Sequence, residues 1–204
     1  MTHPERRPNI LLIITDEHHH RYLSFQDNLD LNTPNFDRLI RSGTFYQRSY
    51  CTNPLCSPAR SSILTGRMPS ETGVVTNDIP ILPGIRNVGQ LLSENGYETV
   101  YLGKLHLPIP FPRSYRGFDV IPSGKPLGEI GDTSVARGAE LFLHEHDDEK
   151  PFFMVVNFDQ SHDILSRVTR NYPEWEASAF EHEKQNIGEA PALPPNFRDY
   201  HGGM

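Results

Sequence analysis

Cysteine is nearly absent from this chain, with only Cys51 and Cys56 among 204 residues. Two thiols cannot build a disulfide framework. Their spacing permits a bridge, but that bridge would consume the more interesting of the two. Long apolar runs are missing as well, and nothing approaches the ~20 residues that span a bilayer. Residues 1–8 are polar and lead straight into a short apolar run, unlike a secretory leader. The sequence therefore predicts no membrane association and a cytoplasmic location, or a periplasmic or secreted one if a leader has been removed. Positive charge is scarce too, with 19 Lys and Arg against 26 Asp and Glu and a net charge of −7. A general nucleic-acid binder needs a basic surface to neutralise phosphates, so that class is excluded. An anionic small molecule is not, because a few Arg and Lys can focus the field within a cleft.

What is present is an ordinary globular composition, 36% hydrophobic and 22% charged, with 18 prolines that imply many loops. The chain is long enough for one domain with a proper core. Its organising stretch is Cys56-Ser57-Pro58-Ala59-Arg60-Ser61-Ser62-Ile63-Leu64-Thr65-Gly66-Arg67. Pro58 suits a first helical turn, Ser57 is available as a cap, and Gly66 is placed to close the helix. Ile63 and Leu64 supply a small apolar face. Cys56 then stands at the helix mouth, where free N–H groups and the macrodipole favour negative charge. Arg60, about one turn on, can direct a planar cation to the same place.

Cys-x-Pro-x-Arg followed by Leu-Thr-Gly-Arg resembles the signature of the type I sulfatases of the alkaline phosphatase superfamily. The resemblance implies an α/β fold with a mostly parallel central sheet flanked by helices. It also implies that residues 1–204 are the N-terminal portion of a sulfatase catalytic domain whose second half is absent. In that family the motif cysteine is oxidised to formylglycine by a formylglycine-generating enzyme, and the aldehyde hydrates to a geminal diol.

The rest of the chain is consistent with this. Ile10–Ile14 is an uninterrupted apolar run, the pattern of a parallel strand buried on both faces. Asp16 and Glu17 follow it, where α/β sheets place their ligands. By resemblance this acidic pair holds a divalent metal together with residue 56, and its oxygens suit Ca²⁺ best, or Mg²⁺. His18, His19 and His20 cannot all converge on one ion and predict a loop at the rim of the site, one of them reaching substrate. Thr33-Pro34 through Gly43 reads as a capped helix with Phe36, Leu39 and Ile40 as its buried stripe. Residues 44–50 suggest a strand, 68–83 an irregular segment and Val88–Asn95 a helix. Tyr97–Leu102 reads as a further strand, Ser134–His146 as a helix, and Phe152–Phe158 as a last strand. Residues 107–125 read as a loop over the site, with Arg113 or Arg116 as an aid to an anion. Tyr172 and Trp175 are candidates to line a pocket.

Lys104 and His106, two apart beyond a strand, share one side of the chain. The sulfatases carry Gly-Lys-x-His here, the Lys contacting sulfate and the His supporting the diol. His162, in Asp159-Gln160-Ser161-His162, matches a family histidine at the sulfate or the leaving-group oxygen, although Ser161 replaces the usual Pro. The expected catalytic residues are Cys56, Arg60, Lys104 and His106, with Lys104 and His162 binding substrate and Asp16, Glu17 and Cys56 binding metal. The implied reaction is hydrolysis of a sulfate ester or sulfamate on a small molecule or carbohydrate. Two other readings stay open, a related phosphodiester or phosphonate hydrolase and a catalytically incomplete fragment. By resemblance, further metal ligands and a second substrate Lys belong to the missing half.

Overall fold

The computed structural model describes residues 7–28, 30–108, 114–121, 128–147 and 149–162. The chain divides into two compact units; among the described residues, one holds residues 7–18 and those from 46 onward, the other residues 19–45.

The first unit is built on five strands: β1 (Ile10–Ile14), β2 (Glu98–Gly103), β3 (Ser114–Tyr115), β4 (Phe118–Ile121) and β5 (Phe152–Asn157). They lie in the order β1-β5-β2-β4-β3. The first four in that order are parallel, and β3 turns back antiparallel onto β4. Period-two alternation sorts their side chains between two cores. Tyr101, Phe118, Phe153 and Val155 face the helices α2 (Cys56–Thr65) and α4 (Val88–Glu94), meeting Leu64 from the first and Val88 and Leu92 from the second. Val100, Leu102, Phe152, Met154 and Val156 face α5 (Gly128–Glu145) and pack on Val135, Ala139 and Phe142. β2 and β5 are covered on both sides, which is why their sequences are apolar almost throughout.

Several expectations change here. Residues 44–50 form no strand; the fourth parallel strand is instead Phe118–Ile121, inside the stretch read as a loop. Its alternation is only four residues long and follows a Gly-containing turn, too little for a periodicity argument. Residues 68–83 include a single helical turn, Pro69–Thr72 (α3). β1 is buried on one face only. Leu12 and Ile14 join the core under α2, but Leu11 and Ile13 are 45% and 49% exposed. The cause is position: β1 is the edge strand among the described residues, and α5 packs over β2 and β5.

The ends of α2 also differ from expectation on one side. Gly66 closes the helix in the left-handed region, its N–H reaching Ser62 O at 2.8 Å. At the start, Leu55 rather than Ser57 is the N-cap, and the Ser57 N–H is taken by Asn77 Oδ1 at 3.0 Å. Ile63 is exposed while Leu64 is buried. In the second unit, α1 (Pro34–Ser42) has its predicted bounds. Thr33 occupies the N-cap position without capping; its hydroxyl instead joins Ser24 and Asp37 in a hydrogen-bond knot. Phe36 and Leu39 of the expected buried stripe are exposed. Arg113, Tyr172 and Trp175 lie outside the described residues. Arg116 donates to the Ile85 carbonyl. No described helix is long and apolar enough to cross a membrane.

Candidate active site

Three chain segments meet beyond the C-terminal ends of β1, β2 and β5, and the N-terminus of α2 closes on them. Asp16 follows β1 and is locked to the turn after β5 by two backbone bonds, Asp16 N–H to Gln160 O at 3.1 Å and Ser161 N–H to Asp16 O at 2.7 Å. β2 ends at Gly103, whose φ of +84° and contact with β5 exclude a side chain: a Cβ there would lie 1.9 Å from Asn157 O. That approach lets the Lys104 N–H reach Asn157 O at 3.0 Å. Below, the Lys104 carbonyl accepts from the buried Tyr101 hydroxyl at 2.9 Å and from Arg60 Nη1 at 2.6 Å. Asn157 Nδ2 donates to Tyr101 Oη at 2.8 Å. A polar floor of Tyr101, Asn157 and Arg60 thus holds the backbone that presents Lys104.

Cys56, the first residue of α2, donates through Sγ toward Asp16 Oδ2 at 3.9 Å. The helix mouth and the first strand's carboxylate therefore share one place. Arg60 is 4% exposed and pairs through Nη2 with Asp16 Oδ1 at 3.2 Å. Lys104 Nζ contacts Asp16 Oδ2 and lies 2.7 Å from Asp159 Oδ1. The Ser57 hydroxyl donates to the His106 carbonyl, tying α2 to the loop after β2. A ligand atom each from Asp16, Cys56 and His162 lie within 4.8 Å of one another. Asp16, Cys56, Arg60, Lys104, His106 and His162 thus belong to one assembly. Glu17 is exposed and outside the Asp16–Cys56–His162 group.

The electrostatics divide these groups sharply. Burial alone would raise the Asp16 carboxyl, but the hydrogen bond from Lys104 and the charges of Arg60 and Lys104 hold it below its ordinary value. Burial alone would lower Lys104, yet its bonds to Asp159 and Asp16 hold it above its ordinary value, so it stays an ammonium. The Cys56 thiol is pushed up, by burial first and by the Asp16 charge second, against the opposing pull of Lys104 and Arg60. The expected negative charge at the helix mouth is therefore not carried by this thiol, which stays protonated and weakly nucleophilic. Burial, and then the charge of Lys104, lower His106, leaving a neutral imidazole whose buried Nδ1 has no hydrogen-bond partner.

A model of the Sulfatase family matches residues 8–201. The chain belongs to the sulfatase family. It is 29% identical over 174 residues to the N-acetylglucosamine-6-O-sulfatase of Bacteroides thetaiotaomicron, a match spanning 77% of this chain and 31% of that one. It is 30% identical over 201 residues to a sulfatase of Formosa agariphila, spanning 81% of this chain and 36% of the relative. Among solved structures, a 2-O GAG sulfatase superimposes with a TM-score of 0.73 at 25% identity, over 94% of this chain and 42% of its own. The chain thus spans about a third of the length of these curated relatives.

Within the Asp16, Cys56 and His162 group the Asp16 carboxylate is the one hard oxygen donor, the kind a divalent cation such as Ca²⁺ takes, and an oxygen in place of the Cys56 sulfur would add a second. Asp16 is a buried carboxylate already holding two cations, and one of them, the Lys104 ammonium, is a flexible point charge standing where an ion would sit. Sequence reasoning missed Asp159, Asp132, Asn77, Tyr101 and Asn157. Of these only Asp159, an acid directly after an apolar strand, carried a local signal.

Proposed function

We propose that this sulfatase-family chain contributes the nucleophile half of a site that hydrolyses carbohydrate sulfate esters, with Cys56 acting as formylglycine. The observation carrying this reading is the meeting of Cys56 Sγ with Asp16 Oδ2 at 3.9 Å, inside a ring of Arg60, Lys104 and His162. A raised thiol pKa argues against direct attack by sulfur and suits a residue that must be converted first. In conversion by a formylglycine-generating enzyme, molecular oxygen serves as oxidant and supplies one oxygen atom to Cβ, the Cβ–Sγ bond breaks, sulfur leaves with two hydrogens as hydrogen sulfide, and hydration of the aldehyde then gives the diol.

Asp16 and the oxygen of converted residue 56, with Glu17 beside them, would hold a divalent cation, Ca²⁺ by preference. When bound, that ion supplies Lewis-acid polarisation of the sulfuryl oxygens and lowers the pKa of the attacking hydroxyl. Lys104 neutralises charge on the transferring group, and Arg60 adds its charge from below while holding Asp16 in place. His162 meets the leaving-group side. His106, neutral at the pH of most cytoplasms and periplasms, takes the proton of the second diol hydroxyl, so that sulfate leaves and the aldehyde returns. The resemblance to the Bacteroides N-acetylglucosamine-6-O-sulfatase makes a sulfated amino sugar the first substrate class to try.

The test is assay of the chain, co-expressed with a formylglycine-generating enzyme, for release of sulfate and of phosphate from matched aryl esters and from N-acetylglucosamine 6-sulfate. Peptide mass at residue 56 is measured on the same sample. Sulfate release that requires conversion supports the proposal. Phosphate or phosphonate release in preference to sulfate replaces it with the related hydrolase. Conversion without any release identifies a chain whose site is completed elsewhere.

A further inference from the structure

Asp16 is saturated by cations in a way that bears on metal loading. Its Oδ1 is taken by Arg60, which is buried and anchored by its second bond to the Lys104 carbonyl, so this contact cannot swing away. Its Oδ2 is the oxygen that faces Cys56, and it is covered by the Lys104 ammonium. An ion shared by Asp16 and residue 56 must use that same oxygen. Two positive charges on one carboxylate oxygen repel strongly in a half-buried site, so Lys104 must give way. The side chain has an alternative partner at hand in Asp159, 2.7 Å from Nζ. Asp159 is held for this purpose from behind: Asp132 on α5 accepts the Asp159 N–H at 2.8 Å and the Gln160 N–H at 3.0 Å through its two oxygens.

We propose that Lys104 and the divalent cation compete for Asp16 Oδ2, and that Asp159 is the positioning residue that retains the displaced ammonium within the site. This rests on the metal reading above and assigns to Asp159 a role that none of the sequence motifs marks. Lys104 thereby neutralises Asp16 until the cation binds, then stays close enough to meet the anionic substrate. Without Asp159, every cation bound would leave Lys104 stripped of its carboxylates, so ion affinity should fall through Lys104 alone.

That dependence defines the experiment, which is calcium titration by isothermal calorimetry of the 204-residue chain converted at residue 56 by co-expression with a formylglycine-generating enzyme, the conversion checked by peptide mass. The variants are Asp159→Asn, Lys104→Met, the double substitution, and Asp16→Asn as control. Lys104→Met should tighten calcium binding about tenfold, the worth of one charge-assisted contact. Asp159→Asn should weaken it about tenfold with Lys104 present and by less than about twofold in the Lys104→Met background. If Lys104→Met does not fold, as judged by circular dichroism, Lys104→Gln replaces it. Equal weakening by Asp159→Asn in both backgrounds would make Asp159 a direct partner of the ion and overturn the proposal. So would unchanged affinity in Lys104→Met. Calcium binding indifferent to Asp16→Asn, or missing even from Lys104→Met, overturns the metal reading itself.

Discussion

Arg60 shows how much of the site is held by buried charge. It is 4% exposed and bridges Asp16 and the Lys104 carbonyl. Arg60→Met would leave both acceptors short of a donor, and we expect a loss on the order of 3 kcal/mol, read as a lower urea midpoint. The pH dependence follows from the pairing of Asp16 with Arg60 and Lys104. The folded-state pKa of Asp16 is depressed, so its contribution is fully present above the unfolded value of about 3.9 and is lost as pH falls through the folded value. Unfolding free energy measured from pH 6 downward should therefore drop more steeply below about pH 4 in the wild type than in Asp16→Asn. His106 gives a second reading. Its imidazole should titrate by NMR with a midpoint below about 6.5. Lys104→Met should move that midpoint only partway back, because burial, the larger cause, remains.

Elements set where those residues can stand. Gly103 ends β2 in a left-handed conformation with β5 pressed against its α-carbon. Gly103→Ala meets both a positive φ and the Asn157 carbonyl, and should cost at least about 3 kcal/mol while displacing Lys104, measurable as lost stability and altered calcium affinity. Edge and central strands make a complementary contrast on one face of the sheet. Leu11 and Met154 are paired in register on neighbouring strands, but Leu11 is 45% exposed and Met154 is fully buried. Leu11→Gln should change stability by no more than about 0.5 kcal/mol, whereas Met154→Ala should cost about 2–5 kcal/mol. Similar effects at the two positions would mean that β1 is covered on both faces in solution.

The whole chain carries a net charge of −7, yet its site gathers Arg60, Lys104 and two histidines around one buried carboxylate. Within it Arg60 and Lys104 are paired with Asp16, and Lys104 with Asp159 as well, so local pairing rather than total charge sets the field at the site. Among the described residues the Asp, Cys and His ligand group contains a single carboxylate, Asp16. A hard cation ordinarily takes six or more oxygens, so a site resting on this group should release sulfate from aryl esters only after conversion at Cys56 and far more slowly than the longer relatives do. Turnover comparable to that of full-length relatives would show that the described ligands suffice.

Sequence and structure divide along the range of the forces involved. The α2 helix with its Gly66 stop and the apolar runs of β1, β2 and β5 were legible locally, through helix ends and periodicity, while the candidates Asp16, Cys56, Arg60, Lys104, His106 and His162 were marked by the resemblance to the sulfatase motifs. Residues 44–50 and 118–121 were read the wrong way round, because a four-residue strand at a sheet margin is chosen by its neighbour β2 rather than by its own pattern. Only the tertiary structure assigned Asn77 to the start of α2, put Tyr101 and Asn157 beneath Lys104, and gave Asp132 the turn that carries Asp159. Each is a polar group satisfied across a long stretch of chain, and no local pattern encodes that. The thiol's protonation was decided in the same way: the helix mouth invites negative charge, but burial and a carboxylate from forty residues away outweigh it.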